Sequence, residues 1–200
     1  MIAVIDYGMG NLRSVEKAFE HLGCDAKIVE SPDQVSEATH LVLPGDAAFG
    51  DAMSNLRNRG WVEAICDHVE AGKPFLGICV GLQLMFEESD ELGTHPGLGL
   101  LRGRVVRFPA GERIPQIGWN QIAIKKQSTL LSGVPEGSFF YFVHSYYVDA
   151  AEAGDSLATT EYGVDYTSIA GRDNLFGVQF HPEKSQQVGL LLLRNFASVN

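Results

Sequence analysis

Over the first eighty positions, short apolar runs alternate with stretches of helical spacing. Ile2-Ala3-Val4-Ile5 reads as a buried strand, closed by Asp6-Tyr7-Gly8-Met9-Gly10-Asn11. Asn11 is placed to cap a helix whose Leu12, Val15, Phe19 and Leu22 make one apolar stripe, and Gly23 stops it. Cys24 to Val29 predicts a second strand, and Ser31-Pro32 opens a short helix with proline in its first turn. His40-Leu41-Val42-Leu43 predicts a third strand ending in Pro44-Gly45, followed by helical patterns over 48–58 and 61–70. Strands alternating with helices predict an α/β fold with a central, largely parallel sheet flanked by helices.

After about Gly97 the pattern changes. Positions 104–108, 121–124, 139–148, 156–162, 166–170 and 175–180 are rich in β-formers, with Gly, Asn and Asp between them as in turns. No linker separates the halves, so the second reads as an antiparallel β extension of the first, and residues 1–200 as one domain. A closing helix from Ser185 carries Val188, Leu191, Leu192 and Phe196 toward the core.

The centre of the pattern is 73–86. An apolar run is interrupted by Gly77-Ile78-Cys79-Val80-Gly81, after which Leu82, Met85 and Phe86 fall on one face of a helix. A strand turning sharply into a helix, with glycines either side of a nucleophilic residue, follows the elbow logic of G-x-S-x-G hydrolases. Side chains at those glycines would clash where the backbone folds under the nucleophile. Cys79 would face the positive end of the following helix, which favours a thiolate, and the Val80 N–H would point where an oxyanion forms. A small buried cysteine with a packing role fits the same residues.

Composition narrows the classes. Two hundred residues, 45% of them hydrophobic, suffice for one sizeable core. Fifteen Lys+Arg against 25 Asp+Glu, a formal charge of −10, gives no reason to expect nucleic acid or an anionic membrane as partner. The cysteines Cys24, Cys66 and Cys79 are odd in number and lack C-x-x-C or Cys/His ligand spacing. That suits a reducing cytoplasm and argues against disulfides or a bound metal. Asp6 breaks the apolar start as no signal peptide would, and no apolar run approaches the roughly 20 residues that span a bilayer. A soluble cytoplasmic protein is expected.

A second chemical signature lies at Gln179-Phe180-His181-Pro182-Glu183. A cysteine nucleophile needs a base, and the base needs a group to fix its tautomer; His181 and Glu183 are of those types. Alone, H-P-E also fits a strand-ending turn with a surface histidine. Together with the elbow it resembles the paired signatures of class I glutamine amidotransferases, which hydrolyse the glutamine side-chain amide with a Cys-His-Glu triad and pass ammonia to a synthase. Asp6 to Val15, Ile117-Gly118-Trp119-Asn120 and Tyr141-Phe142-Val143-His144-Ser145-Tyr146-Tyr147 are similar to the branch that serves imidazole glycerol phosphate synthase.

The resemblance implies a class I glutamine amidotransferase-like fold, no cofactor and no metal. It also implies catalysis by Cys79, His181 and Glu183, and an oxyanion hole from Val80 with the loop Gly45-Asp46-Ala47. That loop departs from the family's Pro-Gly-Val-Gly, which puts its activation behaviour in doubt. L-glutamine would be held by Gln83, His144, Ser145 and Tyr146. The implied partner is a (β/α)8-barrel cyclase, met by Asn11, the turn bearing Trp119 and Asn120, and Lys184, whose alternative is a bare surface lysine. Gly8-Met9-Gly10 lacks the third glycine of a dinucleotide site, with Arg13 in its place, and reads as a tight turn. A glutaminase of another synthase, a non-catalytic binding protein on the same fold, and a partnerless cysteine hydrolase stay open.

Overall fold

Four strands are buried along their whole length, as expected of apolar runs covered on both faces: β1 (Ile2–Ile5), His40–Gly45, Phe75–Cys79 and Leu175–Val178. The computed structural model describes residues 1–199. In chain order, β1 is followed by α1 (Leu12–His21), β2 (Ala26–Val29), a 3-10 turn at Pro32–Val35, β3 (His40–Gly45), α2 (Phe49–Asn58) and α3 (Trp61–Glu70). Next come β4 (Phe75–Cys79), α4 (Val80–Leu84), β5 (Glu88–Ser89), β6 (His95–Pro96), β7 (Gly103–Arg107), β8 (Gln116–Gln121) and β9 (Ala123–Ile124). The chain closes with β10 (Phe139–His144), β11 (Tyr146–Ala150), β12 (Ser156–Glu161), β13 (Asp165–Arg172), β14 (Leu175–Val178) and α5 (Gln186–Ala197).

The main sheet runs β2-β1-β3-β4-β14-β13-β11-β7-β5-β6, with β12 and β9 branching from β13. Strands β2, β1, β3, β4 and β14 are mutually parallel. From β14 onward the neighbours β13, β11 and β7 pair antiparallel. The predicted parallel half and most of the antiparallel extension are thus one continuous sheet, joined where β14 returns beside β4, while β8 and β10 pair antiparallel as a separate two-stranded ribbon. Among the described residues no helix is long and apolar enough to cross a membrane.

Several local expectations change. Asn11 does not cap α1 with its side chain; its Oδ1 instead accepts the Ser14 hydroxyl at 2.8 Å. The second strand begins at Ala26, two residues later than the pattern suggests. Ile117-Gly118-Trp119-Asn120 is not a turn but the body of β8, paired with β10 so that Trp119 stands opposite Tyr141. In α5 the fully buried face is Gly189, Leu192, Leu193 and Phe196, with Val188 and Leu191 half covered. The face is rotated because Gly189 lies against the Pro182 carbonyl, where an added Cβ would come within 2.0 Å.

The elbow forms as predicted, though α4 is only five residues long. Its continuation is stopped by hydrogen bonds from the following loop. The carbonyls of Leu84, Met85 and Phe86 accept the N–H groups of Leu98, Leu101 and Gly99. Leu82, Met85 and Phe86 are fully buried nonetheless. The glycines are required by close approach: a Cβ on Gly81 would lie 1.8 Å from the Leu43 carbonyl oxygen of β3, and one on Gly77 would lie 2.5 Å from Gly81 O.

Gly81→Ala therefore cannot be accommodated without separating α4 from β3. A loss of about 3 kcal/mol or more in unfolding free energy is expected from overpacking against backbone. Denaturant titration of the purified variant measures it, and a loss below 1 kcal/mol would contradict the packing.

Candidate active site

Cys79 ends β4 with φ 56° and ψ −109°, a conformation costly for any residue with a side chain. The turn presents its sulfur at the C-terminal edge of the parallel strands, where open α/β sheets place their sites. Register pairing sets Gly45 of β3 directly beside Cys79. A cleft of about 320 Å³ opens here, lined by Asp46, Ala47, Cys79, Gln83, Ser145 and His181 among others. Val80 lines it too; as the first residue of α4, its N–H is one of those left without an intrahelical acceptor. The short helix supplies only a small aligned dipole, less than the sequence pattern promised.

His181 and Glu183 reach the same place from the segment after β14. The His181 N–H is held by the Tyr141 carbonyl at 2.9 Å, and a 3-10 turn, Pro182–Lys184, folds Glu183 back over the ring. His181 Nδ1 lies 2.8 Å from Glu183 Oε1, with the carboxylate side chain wholly buried. Burial alone would lower the imidazole's pKa. Hydrogen bonds to Cys79 and Glu183, with the charges of both, outweigh it and push the value up to about 10. With Nδ1–H directed at Glu183, the other nitrogen is the one available to the sulfur.

The remaining predicted residues divide. Gln83, 3% exposed, donates from Nε2 to the Tyr146 carbonyl at 2.9 Å and to Gln179 Oε1 at 3.1 Å. Both its donors are spent, so toward the cleft it offers only an acceptor oxygen. His144 is committed as well: Nδ1 is 2.8 Å from the Tyr146 carbonyl and Nε2 is 3.2 Å from the Tyr166 hydroxyl. Burial pulls His144 down to about 4, against the raising effect of the Tyr146 carbonyl. The ring is neutral at pH 7, with Nδ1–H donating to the carbonyl and Nε2 packed against the Tyr166 hydroxyl, which itself donates to Gln116 Oε1 at 3.0 Å. No ring nitrogen is free for a ligand, and around it Val143, Ser145 and Tyr146 share the lining. Ser145 lies at the break between β10 and β11.

Asp46, whose charge beside an anion site raised a question, turns its carboxylate aside. Oδ1 accepts the Gly10 N–H at 2.9 Å, tying the 45–47 loop to the β1–α1 loop that carries Asn11. Trp119 is 47% exposed and meets Tyr141 edge to face at 6.2 Å. Asn120 spends its amide on the Glu161 carbonyl and the Gln121 N–H, and Lys184 stands exposed without an ion pair among the described residues. Two residues given no role by sequence reasoning also belong to the site. Glu91 lines the cleft and accepts the Phe49 N–H at 2.7 Å. Gln179, fully buried, reaches Cys79. A polar residue inside an apolar strand pattern was a signal for Gln179; Glu91 sits in a loop with none.

Fold and site together define an α/β protein with a cysteine elbow backed by a buried His–Glu pair. A family profile described as Glutamine amidotransferase class-I matches residues 3–198, and the chain belongs to that family. The chain is 53% identical over 196 residues to the imidazole glycerol phosphate synthase subunit HisH of Desulfitobacterium hafniense, covering 98% of this chain and 93% of the relative. Against the HisH subunit of Aquifex aeolicus it is 55% identical over 194 residues, 96% and 94% of the two chains. A crystal structure of a glutamine amidotransferase superposes with a TM-score of 0.79 at 21% identity, covering 100% of this chain and 98% of that one, a likeness of fold.

The two histidines predict opposite pH windows. His181, raised in the folded chain, contributes stability fully below about pH 6.5 that is lost as pH climbs toward about 10. His144, lowered, contributes above about pH 6.5 and loses its share as pH falls toward about 4. In urea titrations, the stability gap between wild type and His181→Asn should narrow from pH 6 to pH 9.5. The acid-side slope should be shallower in His144→Gln. A gap independent of pH would contradict the assignment.

Proposed function

We propose that this chain is the glutaminase subunit of an imidazole glycerol phosphate synthase. It hydrolyses L-glutamine and passes the ammonia to a (β/α)8-barrel cyclase in the cytoplasm, in histidine biosynthesis. Residues 1–200 act as one amidotransferase domain. The observation that carries the reading is the Cys79–His181–Glu183 constellation on the elbow, in a chain about half identical to HisH subunits along their length.

In this reading the Cys79 thiolate attacks the carboxamide carbon of glutamine and the carbonyl oxygen becomes an oxyanion. The Val80 N–H and the Gly45-Asp46-Ala47 loop surround that oxygen. His181, carrying the proton that left the thiol, gives it to the departing nitrogen, so the C–N bond breaks and a γ-glutamyl thioester remains. The neutral imidazole then takes a proton from water, whose oxygen displaces the sulfur and yields glutamate. Glu183 keeps the ring in one tautomer throughout.

Substrate recognition follows from the donors left over. Glutamine's α-ammonium needs acceptors, and Glu91 and the Gln83 oxygen supply them on the cleft wall. Ser145 and backbone groups at 143–146 complete the polar end, with His144 bracing that backbone through Tyr146 instead of meeting substrate itself.

A partner is required by the product. Ammonia in neutral water is mostly ammonium, which has no lone pair with which to attack an acceptor, so a sheltered exit from Cys79 is needed. Ile117, Trp119 and Phe139 are 63%, 47% and 52% exposed on the β8–β10 ribbon, an apolar patch suited to docking. We assign Asn11 and Lys184 to the same interface. Trp119 stands opposite Tyr141, whose carbonyl holds the His181 N–H, so docking there touches the catalytic ring through one residue.

Glutamate release from glutamine should fall by on the order of 10⁴-fold or more in Cys79→Ala, and by less in Glu183→Gln. A glutamate assay with the cyclase barrel and its nucleotide ligand present reads both; undiminished turnover in Cys79→Ala would overturn the mechanism.

Trp119→Ala should weaken the barrel complex by about 2 kcal/mol, about thirtyfold in Kd. Titration calorimetry with the barrel gives the value, and unchanged affinity would move the interface elsewhere.

A further inference from the structure

We propose that Gln179 is a positioning residue for the Cys79 sulfur, donating its amide hydrogen to the thiolate because Gln83 holds that amide in one orientation. The inference rests on Cys79 being the nucleophile and adds to the site a residue that the triad logic does not contain.

The orientation is fixed by a carbonyl that can only accept. Tyr146 C=O faces Gln83 Nε2 at 2.9 Å, so the nitrogen, not the oxygen, of the Gln83 amide must lie there. The second hydrogen of the same nitrogen goes to Gln179 Oε1 at 3.1 Å. With its oxygen held, Gln179 has its nitrogen on the other side, 3.8 Å from Cys79 Sγ. Its backbone is pinned too, the N–H donating to the Ser168 carbonyl at 2.9 Å. Gln179 is 0% exposed and Gln83 is 3% exposed, so neither amide turns without abandoning buried partners.

The same geometry separates the two protonation states of the sulfur. A thiol can donate to the Val143 carbonyl, which lies 3.9 Å from Sγ. A thiolate is repelled by that oxygen and is drawn to the Gln179 N–H and to His181. A donor aimed at sulfur favours the anion, since a thiol is a weak acceptor. Other groups face the sulfur from every side. They are His181 with Glu183 behind it, Tyr7 from the β1–α1 loop, His144 from β10, Tyr166 from β13, and Asp46 and Glu91 in the cleft wall. Three of these, Glu183, Asp46 and Glu91, are carboxylates, so a neutral donor locked toward Sγ offsets negative charge that disfavours the thiolate.

The test is the pH dependence of Cys79 alkylation by iodoacetamide, from pH 5 to 9, without glutamine or barrel. Modification is counted by mass spectrometry on the Cys79 peptide, so Cys24 and Cys66 do not contribute. Gln179→Met, which keeps size and removes the donor, should move the acid limb of the profile to higher pH, with up to about tenfold slower alkylation on the acid side of the wild-type limb. Gln83→Met, which leaves Gln179 present with its amide unheld, should slow it a few-fold. Circular dichroism and Tm identify a variant that has not folded; should Gln179→Met fail, Gln83→Met alone decides. A folded variant with the wild-type profile overturns the inference while glutamine hydrolysis by the wild type stands. A wild-type Cys79 no more reactive than a free thiol, with no glutamine hydrolysed, overturns it together with the reading of Cys79 as nucleophile.

Discussion

The structure depends on how closely α4 lies against β3. Leu43 O sits where a side chain on residue 81 would be, so the strand must turn within one residue, and that residue is Cys79. The turn forces Cys79 to φ 56°, a cost of about 1–3 kcal/mol met by fully buried Leu82, Met85 and Phe86 beneath it. Strain at Cys79 and burial of the helix below it are one feature seen from two sides. The sulfur stands proud of the sheet because the backbone has no room to do anything else.

Around this fixed point the sheet changes character. Its parallel half supplies the edge on which Cys79 stands. Strand β14 returns alongside β4 and hands the chain to His181, so residues far apart in sequence meet across two neighbouring strands. The antiparallel half then closes the site from the other side: Tyr141 holds the His181 backbone, and the 143–146 segment walls the cleft. The β8–β10 ribbon and His181 thus meet through one residue, Tyr141, so the docking proposed on that face would have a short mechanical route to the imidazole.

Polar groups under the site are arranged with little slack. Tyr146 C=O accepts from His144 Nδ1 and from Gln83 Nε2, and these two bonds fix a histidine tautomer and an amide orientation at once. Asp46, in a loop where the family pattern differs, spends its carboxylate on the Gly10 N–H. The altered loop is therefore coupled to the β1–α1 loop.

The sequence by itself determined the alternation of buried strands and helices, the elbow, and the pairing of Cys79 with His181 and Glu183. These are local patterns: periodicity reports which faces are apolar, and the glycines at 77 and 81 report that backbones approach closely. It also read Ile117-Gly118-Trp119-Asn120 as a turn and Asn11 as a side-chain cap, because glycine and asparagine carry the same local signals whether or not a partner strand lies alongside. Only the tertiary structure placed Trp119 on a strand opposite Tyr141, and only it spent both nitrogens of His144 on the protein. It likewise brought Glu91 to the cleft wall and Gln179 beneath Cys79. Those outcomes depend on which donor meets which acceptor across strands distant in the chain, and hydrogen-bond direction at a buried carbonyl is a property of the packed structure that no local pattern encodes.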